Sequence, residues 1–196
     1  MTVTTNIREE KNKIRQHYKK LRKEISYKDK KALDEAICRR LLSLCSYRYS
    51  DTVLLYHPLA NEIDTTPIFL DAIKRKKKIA FPRCIEDNRM VFHYVESPED
   101  LISGKYGIME PSPTLPVYCG NSGKTICILP AIVYDKRGYR LGYGKGYYDR
   151  FLSAFTGTKV GLIYSDFIID KIPNSKYDLR SDILVSNKGV ISFAKN

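Results

Sequence analysis

Of 196 residues only three are histidine and five are cysteine, and neither type falls into a pattern that chemistry commonly uses. Cys38, Cys45, Cys84, Cys119 and Cys127 are odd in number and contain no close C-x-x-C pair. That excludes a disulfide framework and the usual zinc spacings, and points to reduced thiols in a reducing compartment. His17, His57 and His93 show neither triad nor metal spacing, so each is read as a surface or core-edge side chain. Met1 to Asn6 lacks the apolar stretch of a secretory signal, and no apolar run is long enough to span a bilayer. A cytoplasmic location is expected. Repeats, low-complexity segments and linkers are also missing, so residues 1–196 are taken as a single domain. A chain of this size buries about 70% of its extended surface without staples. Acid is scarce: 22 Asp and Glu stand against 34 Lys and Arg, a net charge of +12. The surplus favours anionic partners, whether nucleotides, polyanionic metabolites, nucleic acid or a membrane surface, and does not choose among them.

What is present is concentrated between Ile128 and Leu152. An apolar run from Ile126 to Val133 fits a buried strand ending at the surface. Gly138, Gly142, Gly144 and Gly146 follow with basic residues between them, and a helical pattern over 146 to about 156 comes next. Strand, basic glycine loop and helix start form the order that a phosphate site needs, because glycines let backbone N–H groups approach an anion. Arg140 and Lys145 add positive charge. Asp149 would repel a phosphate unless a magnesium ion lay between them, an ion that commonly takes one or two carboxylates plus phosphates. Equally, Asp149 suits the positive end of a helix and the glycines make turns.

The rest of the chain reads as alternating helices and strands. Ile7, Ile14, Tyr18, Leu21 and Ile25 form an apolar stripe over residues 6 to 25, with Lys11, Arg15, Lys19 and Arg22 among the charges on the other faces. Ser26 and Asp29 form a capping box for a second helix that buries Leu33, Ala36, Ile37, Leu41 and Leu44. Asp51 to His57 is a strand, and Pro58 to Thr65 is the loop at its carboxyl end, where ligands bind in α/β sheets. A helix runs to about Lys74. The basic run 74–78 ends it and leads into a strand at 78–82, although a nucleic-acid patch is the other reading. Arg89 to Val95 is a further strand, and 97–123, rich in proline and glycine, is a long loop. Gly120 to Thr125 is not a phosphate loop, because Tyr118 stands where the first glycine is required and a strand follows. Strands are expected at 159–164, 183–185 and 190–193, with a helical turn over 166–171. The pattern implies an α/β protein with a largely parallel sheet covered on both faces.

The block Arg140-Leu-Gly-Tyr-Gly-Lys-Gly-Tyr-Tyr-Asp-Arg150 resembles the signature of the 5-formyltetrahydrofolate cyclo-ligases, also called methenyltetrahydrofolate synthetases. That family usually has three glycines at positions 144 to 146, and here Lys145 stands in the middle. Its early lysine, the arginine four residues on and the closing serine match Lys11, Arg15 and Ser26. Its substrate-contacting glutamate matches Glu62, and its loop between two half-sites resembles Gly107 to Pro111. Tyr177 replaces a common histidine, before Asp178, and Asp182 matches a later aspartate. Without the resemblance, Glu62 would be read as a helix-flanking acid and Asp182 as a loop acid paired to Arg180.

The resemblance implies a three-layer α/β/α fold and ATP- and magnesium-dependent closure of 5-formyltetrahydrofolate to 5,10-methenyltetrahydrofolate. Lys11, Arg15, Arg140, Gly142, Gly144, Lys145, Gly146, Tyr147 and Asp149 are then expected around ATP. Glu62, Tyr147 and Tyr148 are expected around the folate, and Asp149 with Asp182 at magnesium, Asp178 being the alternative to Asp182. Arg140, Lys145 and Tyr148 form the expected catalytic set. The expected partners are small molecules, with no nucleic acid, no membrane and a monomeric state. A basic nucleic-acid-binding module is the main alternative, resting on net charge, fifteen tyrosines and the 74–78 run. Against it, the tyrosines are scattered and no RRM, KH or helix-turn-helix signature occurs. Another ATP-using carboxylate or amide enzyme on the same scaffold is the third possibility, since fold does not fix substrate.

Overall fold

A computed structural model describes residues 2–104, 107–120, 124–175 and 177–194, with side chains from Asn6 onward. Two helices open the chain, α1 (Thr2–Glu24) and α2 (Tyr27–Ser43). Between them Ser26 Oγ accepts the Asp29 N–H at 3.1 Å, satisfying an otherwise orphan donor of the first turn. α2 buries Ile37, Cys38 and Leu41 fully, while Leu33 and Leu44 are only partly covered. The short α3 (Cys45–Arg48) adds the buried Tyr47. The end of α1 departs from the expected stripe. Leu21 is exposed and Arg22 is buried, with Nη2 donating to Ile132 O at 3.0 Å and its guanidinium over the Tyr164 and Phe167 rings. Two aromatic faces and a carbonyl suit a guanidinium better than a leucine.

β1 (Thr52–Leu54), α4 (Thr66–Lys74) and β2 (Lys78–Cys84) form a parallel crossover unit, and β3 (Met90–Tyr94) returns antiparallel to β2. The region expected as a long loop holds a hairpin of β4 (Leu101–Ser103) and β5 (Met109–Pro111). β6 (Thr125–Leu129) follows residues 121–123, the part of the rejected phosphate loop that lies outside the described residues. The apolar run continues past β6 but the strand does not. Pro130 has no N–H to give to a ladder. The chain instead enters β7 (Val133–Asp135), which pairs with β8 (Arg140–Leu141) in a separate small sheet. The helix at the glycine loop is shorter than expected, α5 (Tyr147–Leu152), and leads to β9 (Thr158–Ile163). The helical turn expected over 166–171 is a 3₁₀ turn at Ser165–Phe167, shorter and earlier than expected, and β10 (Ile168–Ile169) follows it beside β7. β11 (Ile183–Ser186) and β12 (Val190–Ser192) finish the chain.

The main sheet has seven strands in the order β12-β11-β9-β6-β1-β2-β3, parallel except at its two edges. Alternate residues supply its two faces. Val53, Leu55, Ile126 and Ile128 join Ile37, Leu41 and Ile68 of α2 and α4 in one apolar cluster. Leu54, Cys127 and Leu129 join Leu152, Phe151 and Phe155 at α5 in the other. This is the three-layer α/β/α arrangement. The topology also fixes where a ligand goes. From β1 the chain moves one way along the sheet to β2, and from β6 it moves the other way to β9. The adjacent carboxyl ends of β1 and β6 are therefore a topological switch point, where a crevice opens.

Candidate active site

The crevice is a cavity of about 530 Å³, within the usual range for small-molecule sites. Its walls come from α1, the loop after β1, the segment from Pro130 to Asp149, the ends of β2 and β3, residues 108–110 at β5, and Asp178. Lys11 and Arg15 are one helical turn apart on α1 and so share a face. Arg15 Nε donates to Gly142 O at 2.8 Å and Nη1 to Asn12 Oδ1 at 2.7 Å. Lys11 Nζ lies 2.8 Å from both carboxylate oxygens of Asp178. Burial lowers the Arg15 pKa from its ordinary value, and Asp178 opposes that shift.

The glycine loop has left-handed backbone at Gly144 (φ +95°) and at Gly146 (φ +73°), which is also the N-cap of α5. Lys145 is not among the positive-φ residues. The chain thus departs from three glycines at the one position of the three that accepts a side chain without backbone strain. Arg150 ties the loop down by donating to Lys145 O and, at 2.9 Å, to Asn88 O. Arg140, buried at the base of the loop, gives Nη2 to Asp149 Oδ1 at 2.8 Å and lies over the Tyr148 ring. Tyr147 and Tyr148 are partly buried against the α5-side cluster. Burial holds the Tyr148 hydroxyl well above its ordinary pKa, so it remains protonated.

Glu62 comes from the loop after β1 and is 5% exposed. Its Oε2 accepts the Leu59 N–H at 2.9 Å. Burial raises its pKa, and the Leu59 N–H, the Tyr143 hydroxyl and the charges of Arg22 and Lys30 partly offset that. Asp34 on α2 holds the loop's far end, accepting the Asp64 N–H at 3.1 Å and the Tyr164 hydroxyl at 2.7 Å.

Lys11, Arg15, Glu62, Arg140, Gly142, Gly144, Lys145, Gly146, Tyr147, Tyr148 and Asp149 all line this cavity. Asp182 does not. Its Oδ2 accepts the Lys159 N–H at 2.8 Å and its Oδ1 pairs with Lys159 Nζ at 3.5 Å, where β9 begins. The carboxylate from that segment that reaches the cavity is Asp178. Asp178 is the alternative to Asp182 that the sequence offered, and Tyr56, His57, Tyr143 and Glu110 are lining residues that sequence reasoning did not single out as site residues. His57 closes the segment read as a strand from Asp51, at the carboxyl end where ligands bind in α/β sheets, and that was the signal available for it. Among the described residues, no three His, Cys, Asp or Glu side chains cluster as a metal cage.

The family model for 5-formyltetrahydrofolate cyclo-ligases matches residues 7–187. The chain belongs to that family. It is accordingly an enzyme of the cyclo-ligase class. It is 32% identical to a solved structure of 5,10-methenyltetrahydrofolate synthetase from Aquifex aeolicus, with a TM-score of 0.81 over 95% of this chain and 94% of that one. The 5-formyltetrahydrofolate cyclo-ligase of Mycoplasma pneumoniae is 27% identical over 91% of this chain and 99% of its own. A probable 5-formyltetrahydrofolate cyclo-ligase of Schizosaccharomyces pombe is 28% identical over 80% of this chain and 84% of its own. The cavity at the switch point is lined by Lys11 and Arg15 of α1, the glycine loop and Glu62.

Proposed function

We propose that this cyclo-ligase closes 5-formyltetrahydrofolate to 5,10-methenyltetrahydrofolate, with ATP converted to ADP and phosphate. One observation carries the reading: a single cavity collects the α1 cations, the glycine loop, two tyrosines and a buried glutamate. ATP is needed because a formamide oxygen is a poor leaving group. Attack of the formyl oxygen on the γ-phosphorus expels ADP and makes an imidate-like phosphate. The neighbouring folate nitrogen then attacks the same carbon, loses its proton, and phosphate departs. Such chemistry requires positioning and charge neutralisation more than a protein nucleophile.

Lys11, Arg15, Arg140 and Lys145 hold phosphate oxygens, and Gly142, Gly144, Gly146 and Tyr147 shape the loop around them. Glu62 and the two tyrosines hold the pterin, Tyr148 remaining a neutral donor. Asp149 is the cavity carboxylate suited to magnesium, which needs only one or two such ligands when phosphates and waters complete its shell. Magnesium supplies neutralisation of phosphate charge. Asp149 is ordered for this by the Arg140 guanidinium, and its side chain remains 32% exposed towards the cavity side. Asp182, held by Lys159, joins this set only if that pair opens. The enzyme is read as a cytoplasmic monomer acting on small molecules alone. The five free cysteines suit the reducing compartment of this reading.

The test mixes purified protein, magnesium-ATP and 5-formyltetrahydrofolate and follows the methenyl-folate absorbance band, with an ATP-free control. The band is expected to grow only with ATP. Asp149→Asn should keep the fold and lose most of the rate. A flat trace from folded, ATP-binding protein would overturn the substrate assignment, and an unchanged magnesium-dependent rate in the variant would overturn that of Asp149.

A further inference from the structure

The loop that brings Glu62 to the cavity is held at its far end by α2. Asp34 and Cys38 are one helical turn apart on α2 and so share a face. Asp34 Oδ2 accepts the Asp64 N–H at 3.1 Å, and Cys38 Sγ donates to Asp64 O at 3.2 Å. Both backbone polar groups of the residue two positions after Glu62 are thus bonded to one helix. The other Asp34 oxygen, Oδ1, accepts the Tyr164 hydroxyl at 2.7 Å just past β9, and Lys30 Nζ lies 2.6 Å from Oδ2. Asp34 and Cys38 are buried, and burial beside Asp34 and Asp64 pushes the Cys38 thiol up to about 12, so it stays a donor. Asp34, Cys38, Asp64 and Tyr164 lie outside the cavity lining.

We propose that Asp34 and Cys38 are positioning residues that fix the orientation of the 58–65 loop through Asp64, and with it the direction in which Glu62 meets the reduced folate. The inference rests on the reading of Glu62 as the folate contact. The turn around Glu62 is closed on itself: Glu62 N–H donates to Leu59 O at 2.8 Å, and Glu62 Oε2 accepts the Leu59 N–H at 2.9 Å. Thr65 Oγ1 donates to Tyr56 O at 2.8 Å and closes the base of the loop. With the turn and the base each closed, the freedom left is a swing of the turn relative to the sheet, and the Asp64 bonds to α2 remove it. Apolar packing alone would seat a loop against a helix. Taking a carboxylate out of water is costly, and what its directional bonds add is a single orientation.

The experiment measures steady-state kinetics for both substrates, with a thermal melt, on Asp34→Ala, Cys38→Ala, Cys38→Ser, Tyr164→Phe and Glu62→Gln. Asp34→Ala should raise the KM for 5-formyltetrahydrofolate about tenfold, the usual effect of one lost bond to a charged group. The KM for ATP and the kcat at saturating folate should hardly change. Cys38→Ala should raise the folate KM about threefold, since a thiol is the weaker donor. Cys38→Ser, which returns a donor, should restore it. Tyr164→Phe takes a bond from the same Asp34 carboxylate but none from the loop, so it should lower the melting temperature and leave the folate KM in place. KM values for folate and ATP that rise together in Asp34→Ala would reduce it to a structural residue and overturn the inference. A Tyr164→Phe variant that loses as much folate affinity as Asp34→Ala would do the same. If Asp34→Ala does not fold, the Cys38 pair decides: a folate KM unmoved by alanine, or not restored by serine, overturns the inference. An impaired Glu62→Gln beside unaffected Asp34→Ala and Cys38→Ala would overturn the α2 role alone. An unimpaired Glu62→Gln would overturn the folate-contact reading itself, and the inference with it.

Discussion

At the scale of single residues, Glu62 sets function against stability. Its carboxylate is 5% exposed and its pKa is raised chiefly by burial. Folding therefore favours the protonated form. The stability this gives is present below the ordinary carboxylate pKa and is lost as pH rises through the raised value. Above that value the fold holds a desolvated charge that glutamine would not carry. Glu62→Gln should accordingly melt higher than wild type at neutral and alkaline pH, by about 1 kcal/mol or roughly 2–4 °C for a domain of this size. The gain should shrink as pH falls through the raised pKa. Calorimetry over pH checks this, and a variant less stable at every pH would mean that the carboxylate is a net structural asset. Glu62 could be found in the sequence only by resemblance, because its burial comes from tertiary packing that no local spacing encodes. Asp178 was legible only as the alternative to Asp182, because its partner Lys11 lies on α1 and no local spacing encodes that contact.

Among elements, the glycine loop is where sequence and structure agree for a physical reason. Left-handed backbone at Gly144 and Gly146 demands glycine, and the demand is visible in the residues. Gly144 is also crowded, since a Cβ there would lie 3.2 Å from the Arg15 guanidinium. Gly144→Ala should cost about 1–2 kcal/mol from its φ alone and should raise the KM for ATP by displacing Arg15. Arg15→Ala should raise the KM for ATP more than that for folate. Steady-state kinetics on both variants check this, and equal effects on both substrates would remove the phosphate role from Arg15. The elements that were misread failed for identifiable reasons. The run from Ile126 to Val133 is continuously apolar, so hydrophobicity cannot show that Pro130 ends one strand and that Val133 opens another in a different sheet. The β4–β5 hairpin has strands of three residues each, too short for any alternation to register. Arg22 on α1 followed the charged pattern of its neighbours, and only the facing aromatic rings make it a buried residue.

For the whole molecule, the charge of +12 is not concentrated where the chemistry is placed. Among the described residues, four basic side chains line the cavity (Lys11, Arg15, Arg140, Lys145), and so do four acidic ones (Glu62, Glu110, Asp149, Asp178). The lining is formally neutral, and the surplus lies outside it, for instance on the exposed Lys13, Lys20 and Lys23 of α1. Two kinds of electrostatics then separate. Inside, recognition rests on specific pairs at hydrogen-bond distance, which salt screens weakly. Outside, the field draws in anions such as magnesium-ATP and a folate bearing a glutamate tail. It acts over distances that a Debye length of about 10 Å at 0.1 M salt cuts off. Added salt should therefore lower kcat/KM for both substrates while leaving kcat nearly unchanged. Replacing Lys13, Lys20 and Lys23 together by glutamine should lower kcat/KM at low ionic strength, and the curves for variant and wild type should converge as salt rises. Identical salt slopes in the two proteins would mean that the outer charge takes no part in substrate capture. A kcat that falls in parallel with kcat/KM would mean that salt reaches the paired groups of the cavity, and the separation of inner from outer electrostatics would fail.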